Sequence, residues 1–161
     1  MANAQISSIP PRSFHSMPFV ELRHSVSSQT GAISPFIEHL MRFITSFQIA
    51  DRRAADIELA LREALANAVI HGNREDANKR VYVACRCYRN GEVLITVRDE
   101  GEGFDTNAIT DPTLPDKLLS DHGRGIYLMQ QIMDDVRYEK GGTMVHMRKS
   151  SNFDAVQENS R

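Results

Sequence analysis

Tryptophan is absent from the 161 residues, and there are only two cysteines. Cys85 and Cys87 stand two apart in "VYVACRCYRN", a stretch that reads as a strand. Residues i and i+2 of a strand share a face. A C-x-C pair with no second Cys or His pair nearby is not the C-x-x-C of redox or zinc sites. Both therefore read as ordinary strand residues in a reducing cytoplasm. Neither sign of charge dominates, since 19 Lys+Arg face 21 Asp+Glu for a net charge of −2. That excludes the strong positive field that argues for nucleic acid or an anionic membrane surface, so no direct nucleic-acid or membrane partner is expected. No run approaches the roughly 20 apolar residues of a membrane span. The opening "MANAQISSIPPRSFHSMP" lacks the charged and apolar regions of a signal peptide and reads as a flexible leader.

What remains is an ordinary soluble composition, 41% apolar and 25% charged, of a size usual for one domain with its own core. "FVELRHSV" alternates and reads as a strand. A helix follows, with Phe36, Leu40, Phe43, Ile44 and Phe47 at helical spacing and Ser34 as its expected N-cap. Residues 51 to about 71 form a second helix. "RVYVACRCY" and "EVLITVRD" flank Asn90-Gly91, a strong hairpin signal. A glycine-containing loop and a lid at 106–122 lead to a third helix, and a closing hairpin ends the domain. Strands joined by short turns imply a mixed, mostly antiparallel sheet covered on one face by about three helices: an α/β (α+β) two-layer sandwich. The expected division is a leader at 1–17, one domain at 18–149 and a flexible tail at 150–161.

The second helix ends in "EALANAVIHGN". Ile57, Leu61, Ala64, Leu65 and Ala68 fall on one stripe, which faces the sheet. Glu63, Asn67 and His71 fall on a neighbouring one. Glu63 and Asn67 are one turn apart, so their side chains reach the same spot. An amide oxygen suits a hard cation such as Mg²⁺, and a carboxylate beside it can accept a proton from an attacking hydroxyl. A solvated helix face would carry the same pair, and His71 with Gly72 and Asn73 reads as a helix stop. In "VRDEGEGFD" a strand ends at Asp99 beside Gly101 and Gly103, so a carboxylate can meet an exocyclic amine such as adenine's. A tight acidic turn would look the same. In "DHGRGIYLMQ", Gly123, Arg124 and Gly125 open a helix, a common way to hold phosphate. Neither glycine loop is a Walker or a dinucleotide fingerprint.

Together and in this order, the motifs resemble those of the GHKL ATPase superfamily with its Bergerat nucleotide-binding fold. Within it, the chain resembles the anti-sigma factor serine kinases of bacterial partner-switching systems. "EALANAVIHGN" is similar to the N-box, "DEGEGFD" and "HGRGIYLMQQIMDDV" to the two glycine boxes, and "GGTMVHM" to the last glycine–threonine box. The likeness spans roughly residues 18 to 148. It implies that Glu63 is the general base, that Asn67 ligates Mg²⁺ on ATP, and that Asp99 binds the adenine amine in a pocket shaped by Gly101 and Gly103. It implies further that Gly123, Arg124 and Gly125 hold phosphates and that Thr143 lies near the base. Asp121 and His122 stand where the family often has a basic residue, leaving Arg124 or Lys117 to meet the terminal phosphate. The implied activity is ATP-dependent phosphorylation of a STAS-type antagonist. This would add ~2 negative charges at the partner interface and free the kinase to hold a sigma factor or another client. The resemblance also implies a homodimer, through the first strand and the helix from Phe36 to Phe47. Two other readings are a nucleotide-dependent binding module without phosphoryl transfer and a kinase whose client is not a sigma factor.

Overall fold

The computed structural model describes residues 18–47, 51–106 and 121–150. The expected leader, the lid except its ends, and the tail after Ser150 lie outside them. β1 (Val20–Ser27) and a 3₁₀ turn (Thr30–Ala32) lead into α1 (Ile33–Thr45). α2 (Asp51–Ala66) continues into a π-helical turn, Asn67–Gly72. β2 (Arg80–Cys87) and β3 (Val93–Arg98) form a hairpin. α3 (Asp121–Ile132), β4 (Asp135–Glu139), a 3₁₀ turn (Lys140–Gly142) and β5 (Met144–Lys149) complete the order.

The sheet order is β1-β2-β3-β5-β4, and every pairing is antiparallel. The expected mixed sheet is thus corrected. β3 and β4 do run the same way, but β5 lies between them and pairs antiparallel with both. The expected helix-covered two-layer sandwich is what forms. Alternation supplies the covered face, with Val81, Val83, Cys85 and Cys87 of β2 and Val93, Ile95 and Val97 of β3 all buried. α2 packs against both α1 and α3. Its Ala60 and Ala64 are nearly inaccessible, and such small side chains let neighbouring elements approach closely. Leu61 and Leu65 are fully buried beside them, each worth roughly 1.5–3 kcal/mol of apolar transfer. Both cysteines are free and buried in this core. A hydrogen bond with Cys87, together with burial, pushes the Cys85 thiol well up, so it stays protonated and inert. Among the described residues no helix is long and apolar enough to cross a membrane.

One local detail differs from expectation, while the expected hairpin at Asn90-Gly91 forms. Ser34 is not the cap of α1, because the 3₁₀ turn delivers the chain into the helix earlier, with Ala32 at the cap position. Ser34 Oγ instead lies 3.4 Å from Arg62 Nη1 of α2. In the β2–β3 turn, the Gly91 N–H donates to the Tyr88 carbonyl at 2.9 Å with Gly91 at φ +85°. Asn90 Oδ1 accepts the Glu92 N–H at 3.0 Å.

Candidate functional site

The π-helical turn sets the site. The Asn73 N–H donates to the Ala68 carbonyl, five residues back, at 2.8 Å. Asn67, Ala68, His71 and Gly72, two pairs four residues apart, all lie on the wall of one cavity. The cavity holds about 250 Å³. Ala64, Ala68, Val97 and Val145 give it an apolar floor, and Phe104 and Tyr138 a side wall.

Asp99 follows β3 directly and lines the cavity. Its own N–H donates to the Thr143 carbonyl at 3.0 Å, and its Oδ1 accepts the Gly101 N–H at 2.7 Å. Backbone presses on it from both sides. A Cβ on Gly72 would lie 2.5 Å from the Asp99 carboxyl carbon, and one on Gly101 would lie 2.1 Å from the Gly72 carbonyl oxygen. Burial raises the Asp99 pKa above its ordinary value, against the opposing Gly101 hydrogen bond and the Lys79 charge. Asn73 fixes this arrangement from behind. It is fully buried, donates from Nδ2 to the Arg80 carbonyl at 3.0 Å and accepts the Glu100 N–H on Oδ1 at 2.8 Å. The sequence showed Asn73 only as part of a helix stop, since its partners lie across the fold. Asn73→Ala is expected to cost about 1–3 kcal/mol, the penalty of unpaired buried groups. In a thermal melt the midpoint should fall by several degrees.

The first and last glycine motifs close on each other. The Phe104 N–H donates to the Gly141 carbonyl at 2.8 Å. A Cβ on Gly103, at φ +79°, would lie 2.0 Å from that same oxygen. Lys140, Gly141 and Gly142 have φ values of +52°, +64° and +89°, so three successive left-handed residues aim the carbonyl at Phe104. The Thr143 hydroxyl donates to the Lys140 carbonyl at 3.0 Å, and Thr143 lines the same cavity as Asp99.

Asn67 lines the cavity too, and Glu63 lies one turn before it, at the end of α2. Measured from where a Gly125 Cβ would be, Glu63 Oε2 is 2.6 Å away, Asn67 Nδ2 3.6 Å and Asn67 Oδ1 3.7 Å. A Cβ there would press on the movable end of the Glu63 side chain and meet Asn67 at ordinary contact distance. Asn67 Nδ2 is buried with no hydrogen-bond partner among the described residues. Gly123, Arg124 and Gly125 lie in the first turns of α3, whose start directs N–H groups and a positive dipole end outward. The helix begins at Asp121, two residues earlier than the glycines suggested. Lys117 and the side chains of Asp121 and His122 lie outside the described residues.

A carboxylate in a largely apolar cavity, with a Glu–Asn pair packed against the first turns of a helix, has the chemistry to receive a nucleotide. Residues 26–149 match the histidine kinase-like ATPase domain, and the chain belongs to that family. Its relatives include the anti-sigma F factor of Bacillus cereus, 31% identical over 135 residues, covering 81% of this chain and 90% of the relative. The serine-protein kinase RsbW of Bacillus subtilis is 34% identical over 108 residues, 63% of this chain and 67% of the relative. For the anti-sigma F factor of Heyndrickxia coagulans the figures are 38% over 92 residues, 54% and 63%. In fold, the chain is similar to the RsbU and RsbW domains of a Mycobacterium tuberculosis protein, with a TM-score of 0.58 and 18% identity over 83% of this chain and 32% of that one. The histidine kinase domain of the Erythrobacter litoralis blue-light activated kinase gives a TM-score of 0.50 at 16% identity, over 80% and 65%.

Proposed function

We propose that this chain is an ATP-dependent protein serine/threonine kinase and anti-sigma regulatory factor. The observation that carries the reading is the convergence of Glu63 and the Asn67 amide on Gly125 in the first turns of α3, beside a cavity that both Asn67 and Asp99 line. The base of ATP lies on the apolar floor with its amine donating to Asp99. Gly101 and Gly103 let the backbone close around it, and Thr143 borders it. The phosphates extend toward Gly123, Arg124 and Gly125.

The residues present fit Mg²⁺. Asn67 lines the cavity and offers a hard amide oxygen, the donor type that Mg²⁺ takes, so Asn67 would hold the ion through that oxygen and not through its amide nitrogen, which only donates. When bound, the ion neutralises phosphate charge. Glu63 accepts the proton of a serine or threonine hydroxyl on the partner. That oxygen bonds to the terminal phosphorus as the bond to the bridging oxygen breaks, and ADP leaves. Positioning and charge stabilisation do most of this work.

By kinship with the anti-sigma F factors and RsbW, the phosphorylated partner is a STAS-type antagonist and the held client a sigma factor or another regulator, in the cytoplasm. A homodimer would use the surface of β1 and α1. Phe19 is 51% exposed there, with Phe47 edge-on at 5.8 Å and the Arg89 guanidinium 4.6 Å over its ring. The test is a pull-down from native lysate with ATP or ADP, read by mass spectrometry. A small STAS-type protein phosphorylated on Ser or Thr only in the ATP sample is expected. Nucleotide-dependent capture of a partner bearing no phosphate would replace the kinase by a binding module.

A further inference from the structure

The β2–β3 register stops at Tyr82 opposite Arg98. Carried on by two residues, it would set Arg80 opposite Glu100. A pair of this kind in an antiparallel ladder can exchange two backbone hydrogen bonds, N–H to carbonyl in each direction. Here side chains replace both. The Arg80 N–H donates to Glu100 Oε2 at 2.7 Å, where the ladder would offer the Glu100 carbonyl. The Glu100 N–H donates to Asn73 Oδ1 at 2.8 Å, and Asn73 Nδ2 donates to the Arg80 carbonyl at 3.0 Å. The Asn73 amide thus stands inside the second missing bond. A closed ring of hydrogen bonds joins Asn73, Arg80 and Glu100.

The replacement lets the chain leave β2 without orphaning the Arg80 peptide. On its other side the chain stays attached, through the Asp99 N–H on the Thr143 carbonyl at 3.0 Å. Between these two anchors Asp99 turns against Gly72 and lines the cavity. A continued ladder would hold residues 99 and 100 in the sheet instead. Glu100 is exposed, so it fills no core space. Both its carboxylate oxygens are nevertheless engaged, since Oε1 accepts the Tyr82 hydroxyl at 3.1 Å. Tyr82 is held in turn by the Arg98 guanidinium, 4.5 Å over its ring.

We propose that Glu100 is a positioning residue of the nucleotide site, whose carboxylate ends the β2–β3 ladder in place of a backbone carbonyl and so fixes Asp99 at the angle that meets the base amine. This rests on the assignment of the cavity to ATP. Glu100 itself touches no nucleotide and acts through Asp99.

The experiment is calorimetric titration of the full chain, Glu100→Ala and Glu100→Gln with ATP and with the triphosphate of purine riboside, which is ATP without its amine. The unchanged chain is expected to prefer ATP. Glu100→Ala should bind ATP about 5–10-fold more weakly, the range of one net hydrogen bond. It should bind the amine-free analogue within about two-fold of the unchanged chain, so its preference for ATP shrinks. Glutamine keeps an acceptor oxygen for the Arg80 N–H without the charge, and Glu100→Gln should recover ATP binding to within about two-fold. Glu100→Asp, one methylene too short to reach both partners, should lose the preference as alanine does, so the test stands even where the alanine chain does not fold. ATP binding by Glu100→Ala within about two-fold of the unchanged chain overturns the proposal. So do equal losses with both nucleotides, the mark of a fold loosened in general, or a glutamine chain that recovers nothing. These results spare the assignment of the cavity. If the unchanged chain binds both nucleotides alike, Asp99 does not read the amine, and the proposal falls while the cavity still takes nucleotide. If it binds neither, both fall.

Discussion

Asp99→Asn should abolish nucleotide binding while leaving the nucleotide-free fold at least as stable. The amide matches the carboxylate in shape. With its oxygen on the Gly101 N–H, as Asp99 Oδ1 is now at 2.7 Å, its NH₂ points at the adenine amine, donor against donor. The complex then loses a hydrogen bond to a charged group, ~1.5–3 kcal/mol, and leaves donors unpaired for ~1–3 kcal/mol more. That is a loss of roughly 10²-fold or more in affinity, measurable by titration with ATP. Stability moves the other way. Burial raises the Asp99 pKa, so the folded chain holds that proton more tightly than the unfolded chain does. The ionised carboxylate thus costs stability at neutral pH, and Asn removes the cost. The same direction sets the pH response of the unchanged protein. As pH falls through the raised Asp99 pKa, the group's share of stability improves while nucleotide affinity drops, because only the carboxylate accepts on both oxygens. Affinity should begin to fall at a higher pH than an ordinary aspartate would give.

Glu63→Gln should separate binding from chemistry. Glutamine occupies the same space against Gly125, so ATP should bind within a few-fold of the unchanged chain. It cannot take the proton of the acceptor hydroxyl. General base catalysis contributes typically ~10²–10⁴-fold, and transfer of labelled phosphate from ATP to the partner protein should fall by about that factor. Glu63→Ala should behave alike. Full transfer by either variant would show that Glu63 is not the base. Failure of both to bind ATP would show that Glu63 holds up the cavity instead.

How much of this was readable beforehand depends on the range of each interaction. The order of elements follows from alternation in "RVYVACRC" and helical spacing in α1, which are local signals. Glu63 and Asn67 are one turn apart, so their convergence is local too. The two cysteines read correctly as strand residues, and their burial came only with the packed sheet. What sequence could not disclose depends on partners far along the chain. The insertion of β5 between β3 and β4 makes every pairing antiparallel, where the expected sheet was mixed and mostly antiparallel. Asn73 acts through the Arg80 carbonyl and the Glu100 N–H, which no spacing rule connects. Tyr138 reaches the cavity only through its register opposite Val145. The cap expected at Ser34 failed because a 3₁₀ turn, weakly encoded in "TGA", took its place.

The π-helical turn has a consequence for what this helix can become. A helix with one residue too many per turn is, in effect, an insertion that was kept. Removing one residue between Ala68 and Asn73 would leave the Asn73 N–H four residues after the Ala68 carbonyl, the regular winding, and would narrow the turn that carries His71 and Gly72 along the cavity. The helix would gain regularity, and the Gly72 backbone that packs against Asp99 would lose its place. Length in this segment is therefore constrained more tightly than composition. Ile70, 42% exposed, is open to exchange, but its place in the count is not.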